Sequence, residues 1–279
     1  MIEIAGLTKN YGGRTAIAGL NLSIQKGELF GLLGPNGAGK TTIIKVLTML
    51  TRPTAGCITI NGCQIPGDER QIKAMIGVVS QHLNLDIELT VRENLELHGR
   101  LHRIPVAARE QRIMELLELV DLSERGDDMV QTLSGGMKRR LMIARALMHH
   151  PRVLLLDEPT AGLDPGVRRR LWGIVRNLAG AGLTVLLTTH YIEEAENLCE
   201  RVAILDHGRL IALDSPAGLC RSLGEYAAEW YESDRPNSRF FMDRLAAAQF
   251  AGGLTVAATI RRTNLEDVFV ELTGRKVAE

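Results

Sequence analysis

Short, wholly apolar runs punctuate this chain, each ending in a polar or glycine-rich turn. Glu28–Leu33 (ELFGLL), Ile76–Val79, Val153–Leu156 and Thr184–Thr188 are such runs. Their length and unbroken hydrophobicity predict strands buried on both faces. Ile2–Leu7 and Leu20–Ile24 instead alternate apolar and polar residues, as half-buried antiparallel strands do. Between them KNYGGRTAI reads as a loop carrying Tyr11. Ile58–Ile60 runs into Asn61-Gly62, a strong hairpin-turn pair, and returns through Cys63–Ile65. Val202–Leu205 and Arg209–Leu213 read as a second hairpin around His207-Gly208.

Helical spacing fills the intervals. TTIIKVLTML follows the first buried run. Thr90 and Glu93 make a capping box ahead of Leu95, Leu97 and Leu101. Ala107 to Val120 continues the pattern, and Ser134 caps a helix through Met148. Asp164-Pro165 opens a helix that Gly180 and Gly182 close. Strand–helix alternation implies a parallel sheet with right-handed crossovers. The expected class is α/β: a mixed sheet, an antiparallel β part, a helical insertion and a small C-terminal extension. The divisions expected are a core of residues 1–82 and 150–215, a helical part 83–149, and an extension 216–279. Within the extension, Leu254–Ile260 reads as a strand and Thr263–Glu266 as a capping box for a final helix. Glu225–Gln249 mixes aromatics, charge and alanine and predicts no element.

The candidate chemistry sits where these elements meet. Gly34-Pro35-Asn36-Gly37-Ala38-Gly39-Lys40-Thr41-Thr42 fits the phosphate-cradling loop, with a strand before it and a helix after it as the motif requires. Glycines let consecutive N–H groups turn inward and, with the helix start, form a positive nest. Lys40 would reach outer phosphates and Thr41 a Mg²⁺ ion. In such a sheet ligands collect at the carboxyl ends of the strands. Gln81, Asp157, Glu158 and His190 each follow a buried run, so they should share one crevice. Asp157 would hold Mg²⁺ with Thr41. Glu158, the next residue, should point the opposite way in an extended chain and polarise the attacking water. Tyr11 offers a ring on which a flat base can stack. Ser134, Gly135 and Gly136 form a second helix start with a bare backbone, far along the chain from the glycine loop.

Composition trims the alternatives. With 33 Lys plus Arg against 33 Asp plus Glu, the chain's net charge of zero gives no sign of a nucleic-acid partner. No apolar run approaches the ~20 residues of a membrane span, and the N-terminal residues lack a secretory pattern. Cys57, Cys63, Cys199 and Cys220 have no paired spacing and read as reduced thiols.

The ordered set GPNGAGKTT, Gln81, LSGGM (133–137), VLLLDEP (153–159), AGLD (161–164) and His190 resembles the nucleotide-binding subunit of an ATP-binding-cassette transporter, over about Met1 to Asp214. The resemblance implies ATP and Mg²⁺ as ligands and Tyr11 as the adenine-stacking aromatic. It implies Lys40, Thr41 and Thr42 as phosphate and magnesium contacts, with Asp157 and Gln81 at the metal. Gln81 would also sense the ligand and face the membrane partner. It makes Glu158 the catalytic carboxylate and His190 a γ-phosphate contact. Ser134 and Gly136 would close on the nucleotide of a second copy, and Asp164 would lie in the dimer-contact loop. Met137 departs from the glutamine commonest there. The tail TNLEDVFVELTGR (263–275) is similar to the branch that includes antibiotic-resistance and nodulation-factor exporters. There the ATPase is a separate chain from its permease, which would hold this chain at the cytoplasmic face of the membrane. Soluble cassettes of ribosomes or DNA, and a module that binds ATP without cleaving it, are the other readings. A single cassette, zero net charge, no long coiled-coil insert and the presence of Glu158 and His190 weigh against them.

Overall fold

In the computed structural model, residues 1–232 and 235–274 are described. Strands β1 (Ile2–Tyr11) and β2 (Arg14–Ile24) form a hairpin closed at Gly12-Gly13, both with positive φ. The hairpin outruns its alternating segments: Tyr11 pairs with Arg14 at the end of β1 rather than lying in a loop. That end is solvent-exposed, so the ladder continues there through polar residues with no apolar face to betray it. After β3 (Leu29–Leu33) and the glycine loop comes α1 (Lys40–Leu47), then β4 (Ala55–Ile60) and β5 (Cys63–Ile65). Asn61 and Gly62 turn between them at φ 50° and 84°, as the Asn-Gly pair requires. These strands make a sheet of order β2-β1-β4-β5.

Helix α2 (Glu69–Met75), which the sequence reading did not single out, leads into β6 (Ile76–Val79). Next in the chain are α3 (Val91–Leu101), α4 (Val106–Leu119) and α5 (Gly135–Ala146). The Thr90–Glu93 box closes both ways, and Ser134 accepts from the Met137 N–H at 3.3 Å. The sheet then resumes with β7 (Val153–Asp157), α6 (Pro165–Gly180), β8 (Thr184–Thr189), α7 (Ile192–Leu198) and the hairpin β9 (Arg201–Asp206) and β10 (Arg209–Asp214). The resulting sheet has the order β10-β9-β3-β8-β7-β6 and is parallel except at β10.

Alternation along each strand divides the interior in two. Leu29, Leu33, Leu154, Leu156, Val185 and Leu187 face the cluster that includes α3–α7. Phe30, Leu32, Val153, Leu155 and Leu186 face α1 and the antiparallel sheet. Both faces are therefore dry, which is why these strands read as continuous apolar runs.

The extension begins with α8 (Pro216–Leu223). In it β11 (Tyr226–Glu232) lies between β12 (Arg235–Phe241) and β13 (Ala258–Arg262), and α9 (Arg244–Gly252) packs through Phe250 on Trp230 and Phe241. The predicted strand at Leu254–Ile260 is thus displaced to Ala258–Arg262. The capping box also shifts. In α10 (Leu265–Thr273) the cap is Asn264, whose side chain accepts from Asp267 N–H at 3.0 Å and whose own N–H donates to the Asp267 carboxylate at 2.9 Å. That register buries Leu265, Val268 and Phe269. It leaves the Thr263 hydroxyl buried without a partner. Residue 275 of the tail lies outside the described residues. The four cysteines are free thiols.

Candidate active site

Between β3 and α1 the chain turns through Gly34–Gly39. Gly39 caps α1 at φ 105°, and a Cβ there would lie 2.8 Å from the Ala16 carbonyl oxygen, so only glycine fits. The first turn of α1 holds no acidic residue to compensate its positive end. Lys40 is only 4% exposed. Its ammonium donates to the Gly34 and Pro35 carbonyls at 2.7 and 3.1 Å and lies 3.4 Å from Glu158 Oε1. Burial pulls the Lys40 pKa below its ordinary value, against the attraction of Glu158 and Asp157. Ala38 is buried behind the loop.

The carboxylates come from the end of β7. Thr188, opposite Asp157 in the parallel register, donates to Asp157 Oδ1 at 2.6 Å. The Thr41 hydroxyl reaches the same oxygen at 3.4 Å. Glu158 does not point away, as strand alternation had suggested. It adopts φ 47°, rare for a residue with a side chain. Its N–H donates to the Thr188 hydroxyl and carbonyl, both at 3.1 Å. This left-handed turn leaves both carboxylates on the glycine loop, Asp157 at Thr41 and Glu158 at Lys40. Strain of this kind gathers at functional sites.

Gln81, at the end of β6, donates from Nε2 to Glu158 Oε2 at 3.1 Å. His190 Nδ1 lies 3.2 Å from that oxygen but is not aligned for a hydrogen bond. The crevice expected at the strand ends therefore gathers Lys40, Thr41, Gln81, Asp157, Glu158 and His190. It opens into a cleft of about 520 Å³ lined by Tyr11, Arg14, Asn36, Gly37, Gly39, Thr42 and others. A larger cavity, about 680 Å³, lies by Cys199, Cys220 and Thr263 and holds none of these groups. Convergent chemistry rather than volume marks the site.

The remaining candidates lie apart. Ser134, Gly135, Gly136 and Asp164 do not line the cleft. Ser134 and Gly135 are exposed, whereas Gly136 abuts α6: a Cβ there would meet Val167 Cγ1 at 2.3 Å. Asp164 caps α6 by position alone, makes no side-chain cap bond, and is exposed. Sequence reasoning missed Thr188, the hinge of the carboxylate pair. Its signal was the Thr-Thr before His190, but its role needs the register of β7 on β8. It also missed Arg14, which lines the cleft beside Tyr11.

Among the described residues no three His, Cys, Asp or Glu side chains cluster to hold a metal. Thr41 Oγ1 and Asp157 Oδ1, 3.4 Å apart, and the Gln81 side-chain amide are hard oxygen donors. That suits Mg²⁺, which completes its shell with water and phosphate oxygens.

A glycine loop at a strand's carboxyl end, a buried lysine opening the next helix and a carboxylate pair at the end of the strand next but one in the sheet define a P-loop nucleoside triphosphatase. The family profile described as ABC transporter matches residues 17–161. The chain is 44% identical to the Nod factor export ATP-binding protein I of Rhizobium johnstonii, over 99% of this chain and 96% of that one. To the protein of the same name from Ralstonia nicotianae it is 41% identical, over 100% and 95%. Among solved structures, a dimeric ATP-binding cassette in a post-hydrolysis state with ADP and Pi aligns at TM-score 0.70 and 30% identity, covering 77% of this chain and 98% of that one. A Clostridium perfringens cassette, part of an ABC transporter complex, aligns at 0.72 and 28%, covering 77% and 88%. The chain belongs to the ABC transporter family, as an ATP-binding subunit with ATPase activity. No helix among the described residues is long and apolar enough to cross a membrane.

Proposed function

We propose that two copies of this chain close head to tail on two ATP molecules, and that cleavage of ATP drives a separate integral membrane permease that exports its cargo. The observation that carries this reading is the separation of two anion-binding helix starts. The start of α1 lines the cleft, while Ser134 and Gly135 are exposed at the start of α5 and do not line it. A two-fold arrangement would bring each Ser134 turn to the partner's nucleotide. The dimeric cassette solved with ADP and Pi supports that geometry, and likeness to Nod factor exporters along the whole chain supports export. The chain would sit on the cytoplasmic face of the membrane, held there by the permease through the surface near Gln81. It needs no nucleic acid.

In the closed state Tyr11 stacks on adenine. The loop N–H groups and Lys40 hold the phosphates, and Ser134 and Gly136 of the other copy complete the terminal phosphate's shell. Asp164 lies at the contact between copies. Mg²⁺, held by Thr41, Asp157 and Gln81, would offset phosphate charge. Glu158 accepts a proton from the attacking water as its oxygen bonds to the γ-phosphorus, and ADP leaves. His190 and Gln81 orient Glu158 and the γ-phosphate.

Glu158→Gln tests this. A lost general base costs about 10²- to 10⁴-fold in rate. ATP binding should survive and a stable ATP-dependent dimer should appear in size-exclusion chromatography. Turnover within tenfold of the unaltered protein, or a monomer at saturating ATP, would overturn the proposal.

A further inference from the structure

Helix α5 carries three buried arginines: Arg140 ties it to the chain after α4, and Arg139 and Arg145 both reach the stretch after β6. Arg140 donates to the Val120 and Asp121 carbonyls at 2.6 and 3.1 Å. Arg145 holds Asn84 through its backbone and side-chain oxygens. Arg139, 5% exposed, donates to the Ser80 carbonyl at 2.7 Å and the Gln81 carbonyl at 2.9 Å. Ser80 and Gln81 follow β6 in a stretch with neither helical nor strand pairing. A planar guanidinium that grips two successive carbonyls fixes the peptide between them. That peptide bears the side chain that donates to Glu158.

We propose that Arg139 is a positioning residue for hydrolysis: it holds Gln81 against Glu158 from the helix that begins at Ser134. This rests on the roles given above to Gln81 and Glu158. Arg139 lies about one and a half turns from Ser134 on the same rigid helix. Any displacement of the Ser134 turn, where the partner's nucleotide would bind, is therefore carried to Gln81 and to the catalytic carboxylate of the same copy. The two ATP sites become mechanically connected through one side chain.

The test is a double-mutant cycle on the full chain, read by steady-state ATPase kinetics and by amide hydrogen exchange at residues 80–84. Arg139→Met keeps an unbranched stem and removes both donors. It should lower kcat about ten- to a hundredfold, the scale of a misplaced catalytic contact. The KM for ATP should stay within twofold, and exchange at residues 80–84 should quicken. In a Gln81→Ala background it should cost nothing further, because the same contact is already gone. Arg140→Met is the control. It removes a buried arginine from the same helix but leaves Ser80 and Gln81 held, so its effect should multiply with that of Gln81→Ala and leave exchange there unchanged. Should Arg139→Met fail to fold, Arg139→Lys supplies the same cycle, with one donor left and a smaller loss. Losses from Arg139 and Gln81 that multiply, or a normal kcat in the Arg139 variant, would overturn the inference while leaving the dimer mechanism intact. A normal kcat in Gln81→Ala alone would remove the role of Gln81 itself, and this inference with it.

Discussion

The two glycines after Ser134 make opposite predictions for folding and the same prediction for function. A Cβ on Gly136 would lie 2.3 Å from Val167 Cγ1, far inside van der Waals contact. Valine is stiff at χ1, so relief must come from a shift of α5 against α6. Overpacking of this kind costs about 1–3 kcal/mol. Better helix propensity returns at most ~1 kcal/mol, so Gly136→Ala should lose about 0–3 kcal/mol in urea unfolding. Around Gly135 there is open space within 4 Å, and its backbone is not left-handed. Gly135→Ala should therefore be neutral or gain about 0.4–1 kcal/mol. Function divides differently. If the bare backbone serves a phosphate of the partner's nucleotide, a methyl at either position keeps it away. A hydrogen bond to a charged group is worth about 1.5–3 kcal/mol, which is about ten- to two-hundredfold in rate at 1.36 kcal/mol per decade. Gly135→Ala is the decisive variant because its fold is undamaged. The assay is ATP turnover at saturating nucleotide beside the urea midpoint. A Gly135→Ala protein as stable as the parent and within twofold of its turnover would refute the reasoning.

Tyr11→Ala should raise the KM for ATP about tenfold with kcat unchanged, as loss of a base-stacking surface worth about 1–3 kcal/mol would; an unchanged KM contradicts the stacking role. Glu194 is fully buried, with Oε1 accepting from Thr160 at 2.8 Å and Trp172 at 3.0 Å. Burial raises its pKa, so its proton is bound more tightly in the folded chain and stability falls as pH rises through the folded value; Glu194→Gln should flatten that decline, and thermal midpoints between pH 5 and 8 will show it. Thr263→Val should be neutral or stabilising because the hydroxyl it removes is buried without a partner. Asn264→Ala should cost about 1 kcal/mol in urea unfolding by removing the cap of α10.

The parts legible in the sequence are those whose cause is local. Asn61-Gly62, the Thr90 box, the Ser134 cap and the glycine loop each depend on residues within a few positions. The buried strands were readable because helices or a second sheet dry both their faces. What was hidden depends on tertiary pairing. The left-handed turn at Glu158 is held by Thr188, 30 residues on in the chain, so alternation gave the wrong direction. Thr263 and Asn264 are both good caps and Glu266 and Asp267 both good partners, so local chemistry could not choose between registers. Burial of Leu265 and Phe269 decides it. The extension was opaque because the fully buried positions of β11, one on each face, are Ala227 and Ala228, residues with no strand signature.

The geometry of Glu158 bears on how hydrolysis is kept in check. The groups we propose for the terminal phosphate all meet this one carboxylate: Lys40 at 3.4 Å, Gln81 at 3.1 Å and His190 at 3.2 Å. Lys40, buried and drawn below its ordinary pKa by that burial, needs an anion beside it to remain charged. A triphosphate is a stronger anion offered to the same donors. In the proposed mechanism Lys40 would exchange one negative partner for another when the triphosphate enters, so the cost of a buried, unpaired cation would not arise. By the same proposal Glu158 would give up these contacts and be left as an unneutralised carboxylate beside the γ-phosphate, ready to take a proton from water. Substrate binding and activation of the base are then a single redistribution of hydrogen bonds. The φ of 47° at Glu158 is what places its carboxylate where both partnerships are possible.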